Sequence, residues 1–286
     1  MRSSVEIYDL ETGDTKVVLD SPNMLEAPNW ARDGAGLIVN GEGRLYRLDL
    51  RTAELTQIDT GPLHKLNNDH GPSPDGAFMA VSDKVETGKA CIYVLPAAGG
   101  TPTRITQNVP SWWHAWTPDS ANLIYTAVRD ETFGIYMIPA DGGAERRVIG
   151  GPHHYDGPDI TPDGQWIWFN SERGDLPSSL WRVRPDGSDP QQMTHGARVD
   201  WFPHPSPDGQ HVVYLSYPEG TEGHPFGREV ELRLIPIEGG EPKTLVRLFG
   251  GQGTLNVPCW APDGRRFVFV RYFRESEAVV ATEPSV

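Results

Sequence analysis

The sequence predicts an all-β chain folded as a six-bladed β-propeller, and three observations lead there. A turn signature recurs six times, its Asp standing at Asp33, Asp75, Asp119, Asp163, Asp208 and Asp263, with spacings of 42, 44, 44, 45 and 55 residues. A repeat in the forties with strand-like flanks is the mark of a propeller, one four-stranded blade per repeat. The second half of each repeat recurs too, as Ile92-Tyr93-Val94-Leu95-Pro96 before Gly99-Gly100 and Ile135-Tyr136-Met137-Ile138-Pro139 before Gly142-Gly143. Finally, the two chain ends hold complementary halves of one blade.

Repeat four shows how the elements follow from the residues. Gly157 to Ile160 forms strand A, Thr161-Pro162-Asp163-Gly164 the turn, and Gln165 to Asn170 strand B. A polar loop then leads to strand C at Leu180–Val183, a second turn at Pro185–Ser188, and strand D at Gln191–Thr194. Pro presets φ at the second turn position, Asp caps the turn through its carboxylate, and Gly accepts the positive φ that follows. The last repeat stops after strand B, Phe267-Val268-Phe269-Val270. The missing C–D half stands at the N-terminus, as Val5 to Leu10 and Lys16 to Leu19. Six blades result, the sixth closed by N-terminal plus C-terminal strands, and residues 1–286 read as a single propeller domain. The tail at 274–286 has no counterpart in the repeat and is expected to be disordered.

Composition narrows the function classes. The net charge of −14 disfavours a nucleic-acid partner, which needs a basic stripe. No apolar run has membrane-spanning or signal-peptide length, so the expectation is a soluble, cytoplasmic chain with no membrane partner. Cys91 and Cys259 lie in different repeats on strand-like segments and read as two buried thiols.

The Pro-Asp-Gly turn, the apolar strand after it, and Ile-Tyr-x-Leu/Ile with Gly-Gly together resemble the TolB-type propeller repeat. The same repeat occurs in prolyl oligopeptidase-like and tricorn-like proteases. The resemblance spans essentially residues 5–273. TolB also carries an exported leader and an N-terminal α/β domain, and the proteases a hydrolase domain with a G-x-S-x-G nucleophile turn. This sequence shows none of these, so the resemblance implies a stand-alone propeller.

In a propeller, strand A lines the central channel, and the loops into strand A share one face with the B–C loops. Seven residues before each turn Asp stand Glu26, Asn68, Trp112, Asp156, Trp201 and Asn256. This ring of carboxylates, amides and indoles suits a polar, ring-shaped ligand such as a sugar. His70 and His114 stand five before the Asp and His204 four before it. His154 and Tyr155 lie just above Asp156, and Asp200 precedes Trp201. These twelve residues are the candidate ligand-binding set. Two readings stay open: a module binding a small polar molecule or a protein segment at the channel mouth, or a carbohydrate lyase or hydrolase with a metal or histidine base there. No cofactor is assigned. Histidines and carboxylates from several blades would suit a divalent metal, but H-E-x-x-H and other short-range ligand spacings are absent. Oligogalacturonate lyases, propellers related to the TolB type with a histidine-rich metal site on this face, are similar in outline, although they have seven blades.

Trp30, Trp116 and Trp260 recur three residues before the Asp and read as packing between blades. The 55-residue spacing inserts a loop at residues 217–228, which should overhang the mouth. Loops 129–133 and 171–177 border the same opening.

Overall fold

The computed structural model describes residues 1–174 and 176–274. Asp175, in one of the bordering loops, and the tail from residue 275 lie outside the described residues. Strands β1 (Ser3–Asp9) and β2 (Thr15–Ser21) open the chain. Blade one follows as β3 (Glu26–Trp30), β4 (Gly36–Gly41), β5 (Arg44–Asp49) and β6 (Leu55–Gln57). Blade two is β7 (Leu66–Pro72), β8 (Phe78–Asp83), β9 (Cys91–Pro96) and β10 (Thr103–Arg104). Blade three is β11 (Ser111–Trp116), β12 (Asn122–Arg129), β13 (Thr132–Pro139) and β14 (Arg146–Gly151). Blade four is β15 (Tyr155–Ile160), β16 (Ile167–Ser171), β17 (Ser179–Val183) and β18 (Gln191–Gln192). Blade five is β19 (Val199–Pro205), β20 (His211–Tyr217), β21 (Phe226–Pro236) and β22 (Lys243–Gly251), and β23 (Arg266–Tyr272) closes the ring. Blades one to five are four-stranded antiparallel sheets in chain order.

The sixth blade joins the two ends as expected, in the order β2-β1-β23. Its innermost strand is shorter than the repeat predicts, reduced to a bridge between Trp260 and Phe267. Pro258 and Pro262 flank it and have no N–H to give a ladder. The seam is also held by charge: Arg271 Nε and Nη2 donate to Glu6 at 2.7 and 3.1 Å, and Ser4 Oγ donates to the same carboxylate at 2.6 Å.

The six turns behave alike. Asp Oδ1 accepts the backbone N–H two residues on, at 2.9–3.0 Å, from Ala35, Ala77, Ala121, Gln165, Gln210 and Arg265. Five turns place a Gly at the left-handed position, whereas the third has Ser120 there at φ 61°. Ser120 Oγ in turn accepts the Asp75 N–H of the neighbouring blade's turn at 3.2 Å.

Apolar residues fill the gaps between adjacent blades. One cluster joins Ile124 and Ile135 of blade three to Ile167 and Phe169 of blade four. Trp30, Trp116 and Trp260 are buried, as their register predicts. Trp116 Nε1 donates to Gly71 O at 3.0 Å and Trp260 Nε1 to His204 O at 2.8 Å, each pinning its blade to the innermost strand of the preceding one. Both cysteines are buried and free. Among the described residues no helix is long and apolar enough to cross a membrane.

Candidate functional site at the channel mouth

The loops leading into strand A and the B–C connections meet at one end of the channel, around a cavity of about 260 Å³. Asn68, Trp112, His114, His154, Asp156 and Asn256 of the expected set line it. Four of these belong to the ring counted back from the turns, because β7, β11 and β15 begin at equivalent heights.

Asp156 is the centre of the arrangement. Its Oδ1 lies 3.1 Å from His114 Nε2, and its Oδ2 lies 3.7 Å from His224 Nε2. His224 comes from the inserted loop, which overhangs the mouth as its length implied. On its other side His224 Nδ1 meets Gln252 Oε1, and Gln252 Nε2 donates to Asn68 Oδ1 at 3.1 Å. A polar chain thus crosses the opening, from Asn68 on blade two through Gln252 and His224 to Asp156 on blade four and His114 on blade three. Gly253 N–H donates to Asn256 Oδ1 at 2.7 Å and fixes the loop that carries Gln252.

The aromatic wall is equally local. Trp112 stacks on Phe133 with ring centroids 6.4 Å apart, and Phe133 lies 4.2 Å from the His154 ring. The Trp201 ring contacts His154 at 5.4 Å and His224 at 4.4 Å.

Burial and charge set the protonation states. Burial pushes the Asp69 carboxyl up to about 6, with Asp156 adding to the rise, while His114 and Asn67 pull the other way. Burial likewise raises Glu26, helped by Asp69, to about 7. Asp156 is buried too, but its contact with His114 and the nearby His154 and His224 outweigh this and hold it well below the usual carboxylate range. His114 shows the reciprocal effect: burial favours its neutral form, and Asp156 and Asp69 overcome that and raise it. His224 is lowered by burial, with Asp156 opposing.

Five expected residues are not on the cavity wall, and Glu26 stands beside it. His70 is enclosed within the blades, where burial drives its imidazole down to about 3. His204 lies deeper in the channel, its Nδ1 2.9 Å from Asp159 Oδ2 and its Nε2 3.2 Å from Leu255 O. It stands on the turn side of the strand-A bulge, the position that Asp159 holds in blade four, and so lies away from the mouth. Tyr155 turns into the core between blades three and four and stacks on Phe169. Asp200 accepts Ser216 Oγ at 2.6 Å inside blade five. Trp201 is buried behind the histidines and not open to the cavity. Asp69, Phe133, His224 and Gln252 also shape the opening but were not in the expected set. Of these, His224 had a signal, its place in the overlong loop; Asp69 and Gln252 stand off the six-fold register that was followed. Among the described residues, no group of three His, Cys, Asp or Glu is arranged to hold a metal ion.

A family model for the TolB beta propeller domain matches residues 110–283. The chain belongs to the TolB β-propeller family. This TolB-type propeller is 50% identical to the uncharacterized protein Atu1656 of Agrobacterium fabrum, over 96% of this chain and 93% of that one. A solved structure from Agrobacterium tumefaciens, provisionally named TolB, superposes with a TM-score of 0.94 at 49% identity, covering 96% of this chain and 99% of the other. TolB from Acinetobacter baumannii shares the fold at 20% identity and a TM-score of 0.69, over 88% of this chain and 64% of that one.

Proposed function

We propose that this TolB-type propeller is a binding module that takes a small polar molecule at the channel mouth. The observation that carries the reading is the lining of the 260 Å³ cavity: amides, imidazoles and carboxylates from several blades and their loops, beside the Trp112–Phe133 wall. A few convergent polar groups beside aromatic faces are what a small-ligand site requires. Thr126 Oγ1, on a residue of the cavity lining, is buried without a protein hydrogen-bond partner. A protein segment would enter the same opening by one side chain at a time, given its volume.

The second reading, a histidine-dependent carbohydrate-active enzyme, draws on the meeting of His114, His154 and His224 around Asp156. Against it, the His114 side chain is only 4% exposed, and both nitrogens of the more accessible His224 face side-chain oxygens. A general base needs a nitrogen within reach of the substrate proton.

The test is calorimetry and thermal shift with neutral, cationic and anionic sugars and small amines, on the wild-type chain and on Trp112→Ala. Saturable binding weakened at least tenfold by Trp112→Ala is expected. Binding indifferent to that change would place the ligand elsewhere, and turnover of a bound sugar would favour the enzyme.

A further inference from the structure

We infer that the molecule held at the mouth carries a positive charge: the site is built for an ammonium group on a small polar body. This rests on the mouth being a small-molecule site and names the ligand class that site would take.

The residues lining the cavity include Asp69 and Asp156, and Glu26 stands next to them; no Lys or Arg contributes to the wall. Three imidazoles, His114, His154 and His224, share the wall with these carboxyl groups, and the surroundings of His114 favour its cationic form. His224 is pushed toward neutrality. Two Asp carboxyl groups thus share a wall that has no permanently charged cation to balance them. The carboxyl groups act on one another: Asp156 helps raise Asp69, and Asp69 helps raise Glu26. Like charges held together in a partly enclosed site are relieved by an incoming cation, and low local dielectric strengthens that attraction. Aromatic faces add to it, because the negative face of an indole or phenyl ring attracts a cation. Trp112 and Phe133 line the same cavity as Asp69 and Asp156. Thr126, a residue of the same wall 1% exposed, has a hydroxyl with no protein partner, which supplies an acceptor that a carboxylate count alone would not.

Asn67 and His114 partly satisfy Asp69 and Asp156, so the site does not collapse without its ligand. Neither partner removes the net negative charge of the wall. An anionic sugar such as a uronate would meet that charge directly, with no guanidinium or ammonium to receive it.

Three sugars that share one ring isolate charge from shape: glucosamine, glucose and glucuronate, titrated into the full chain at pH 7 by calorimetry. Ethanolamine and agmatine serve as cations without the ring. Glucosamine is expected to bind at least tenfold more tightly than glucuronate, with glucose between them. Asp69→Asn and Asp156→Asn are each expected to cut the advantage of glucosamine over glucose at least threefold. Using two variants guards against one that fails to fold, and unchanged melting behaviour identifies a usable variant. Equal binding of the three sugars, or tighter binding of glucuronate, overturns the charge inference and leaves the small-molecule reading standing. An advantage for glucosamine that survives both substitutions also overturns it. Silence from every sugar and both amines overturns both readings.

Discussion

Replacing Gly71 by Ala tests the idea that the ring is rigid because its blades interlock at the channel. Gly71 lies in β7, and a Cβ added there would stand 2.3 Å from Trp113 Cη2 and 2.8 Å from Cζ3. Its φ is not positive, so the backbone tolerates Ala and the whole effect is steric. Trp113 is 1% exposed, and its backbone N–H is tied to Ser82 Oγ at 2.8 Å, so the indole must shift by about 1 Å in a closed site to restore ordinary contact. Overpacking of this kind costs about 3 kcal/mol, the upper end of the usual range. For a chain of this length that corresponds to a fall in Tm of about 5 °C. Trp113→Phe removes the ring atoms that collide, at a cost of about 2 kcal/mol for the space left behind. The double variant should therefore be less destabilised than the two single costs added together, by at least about 1 kcal/mol. Thermal and denaturant unfolding of the four proteins measures this. A Gly71→Ala variant melting within about 1 °C of wild type, or costs that add within about 0.5 kcal/mol, would refute the interlock.

Three further outcomes are expected. Glu26 is raised to about 7 in the folded chain against 4.5 for the free group, so the fold binds its proton more tightly than the unfolded chain does. Stability tied to that proton is complete below pH 4.5 and is lost as pH rises through 7. Glu26→Gln should thus stabilise by about 2 kcal/mol at pH 8 and be near neutral at pH 4; an equal gain at both values contradicts the assignment. Arg271→Met strands the Glu6 carboxylate, whose side chain is 5% exposed, and should cost about 3 kcal/mol, whereas Arg2→Met at the exposed, solvent-screened Asp20 pair should cost far less. Equal losses in a denaturant series would show that the seam does not depend on that pair. At the turns, Gly164→Ser should cost about 1 kcal/mol from φ 71° alone, because its Cβ would meet nothing closer than 3.9 Å. Ser120→Gly should be close to neutral, since relief of the left-handed strain is offset by loss of the Asp75 N–H contact. A Ser120→Gly change in Tm as large as that of Gly164→Ser would sink this comparison.

The repeat made the blades legible because turn chemistry and strand alternation are local: the residues of one Pro-Asp-Gly turn make the hydrogen bonds that define it. The same register brings Asn68, Trp112, Asp156 and Asn256 to one opening, because equivalent positions of successive blades rise alike. It failed where a side chain stands on the turn side of the strand-A bulge, as His204 does, and where one faces the neighbouring blade, as Tyr155 does. It was silent about Asp69 and Gln252, whose roles arise from contacts between blades. Gln252 reaches Asn68 across 184 residues of sequence, a distance no local pattern encodes.

The join between β1 and β23 has a consequence for how the chain is made. Glu6 meets Arg271 across 265 residues, so β1 leaves the ribosome long before its partner exists. At about 5–20 residues per second, that interval is roughly a quarter of a minute to a minute. During it Val5 and Ile7, both buried in the finished ring, have only the β2 side of their sheet to pair with. An unpaired apolar strand edge is a template for association with other chains. The hazard is removed only once β23 has been made and pairs along β1.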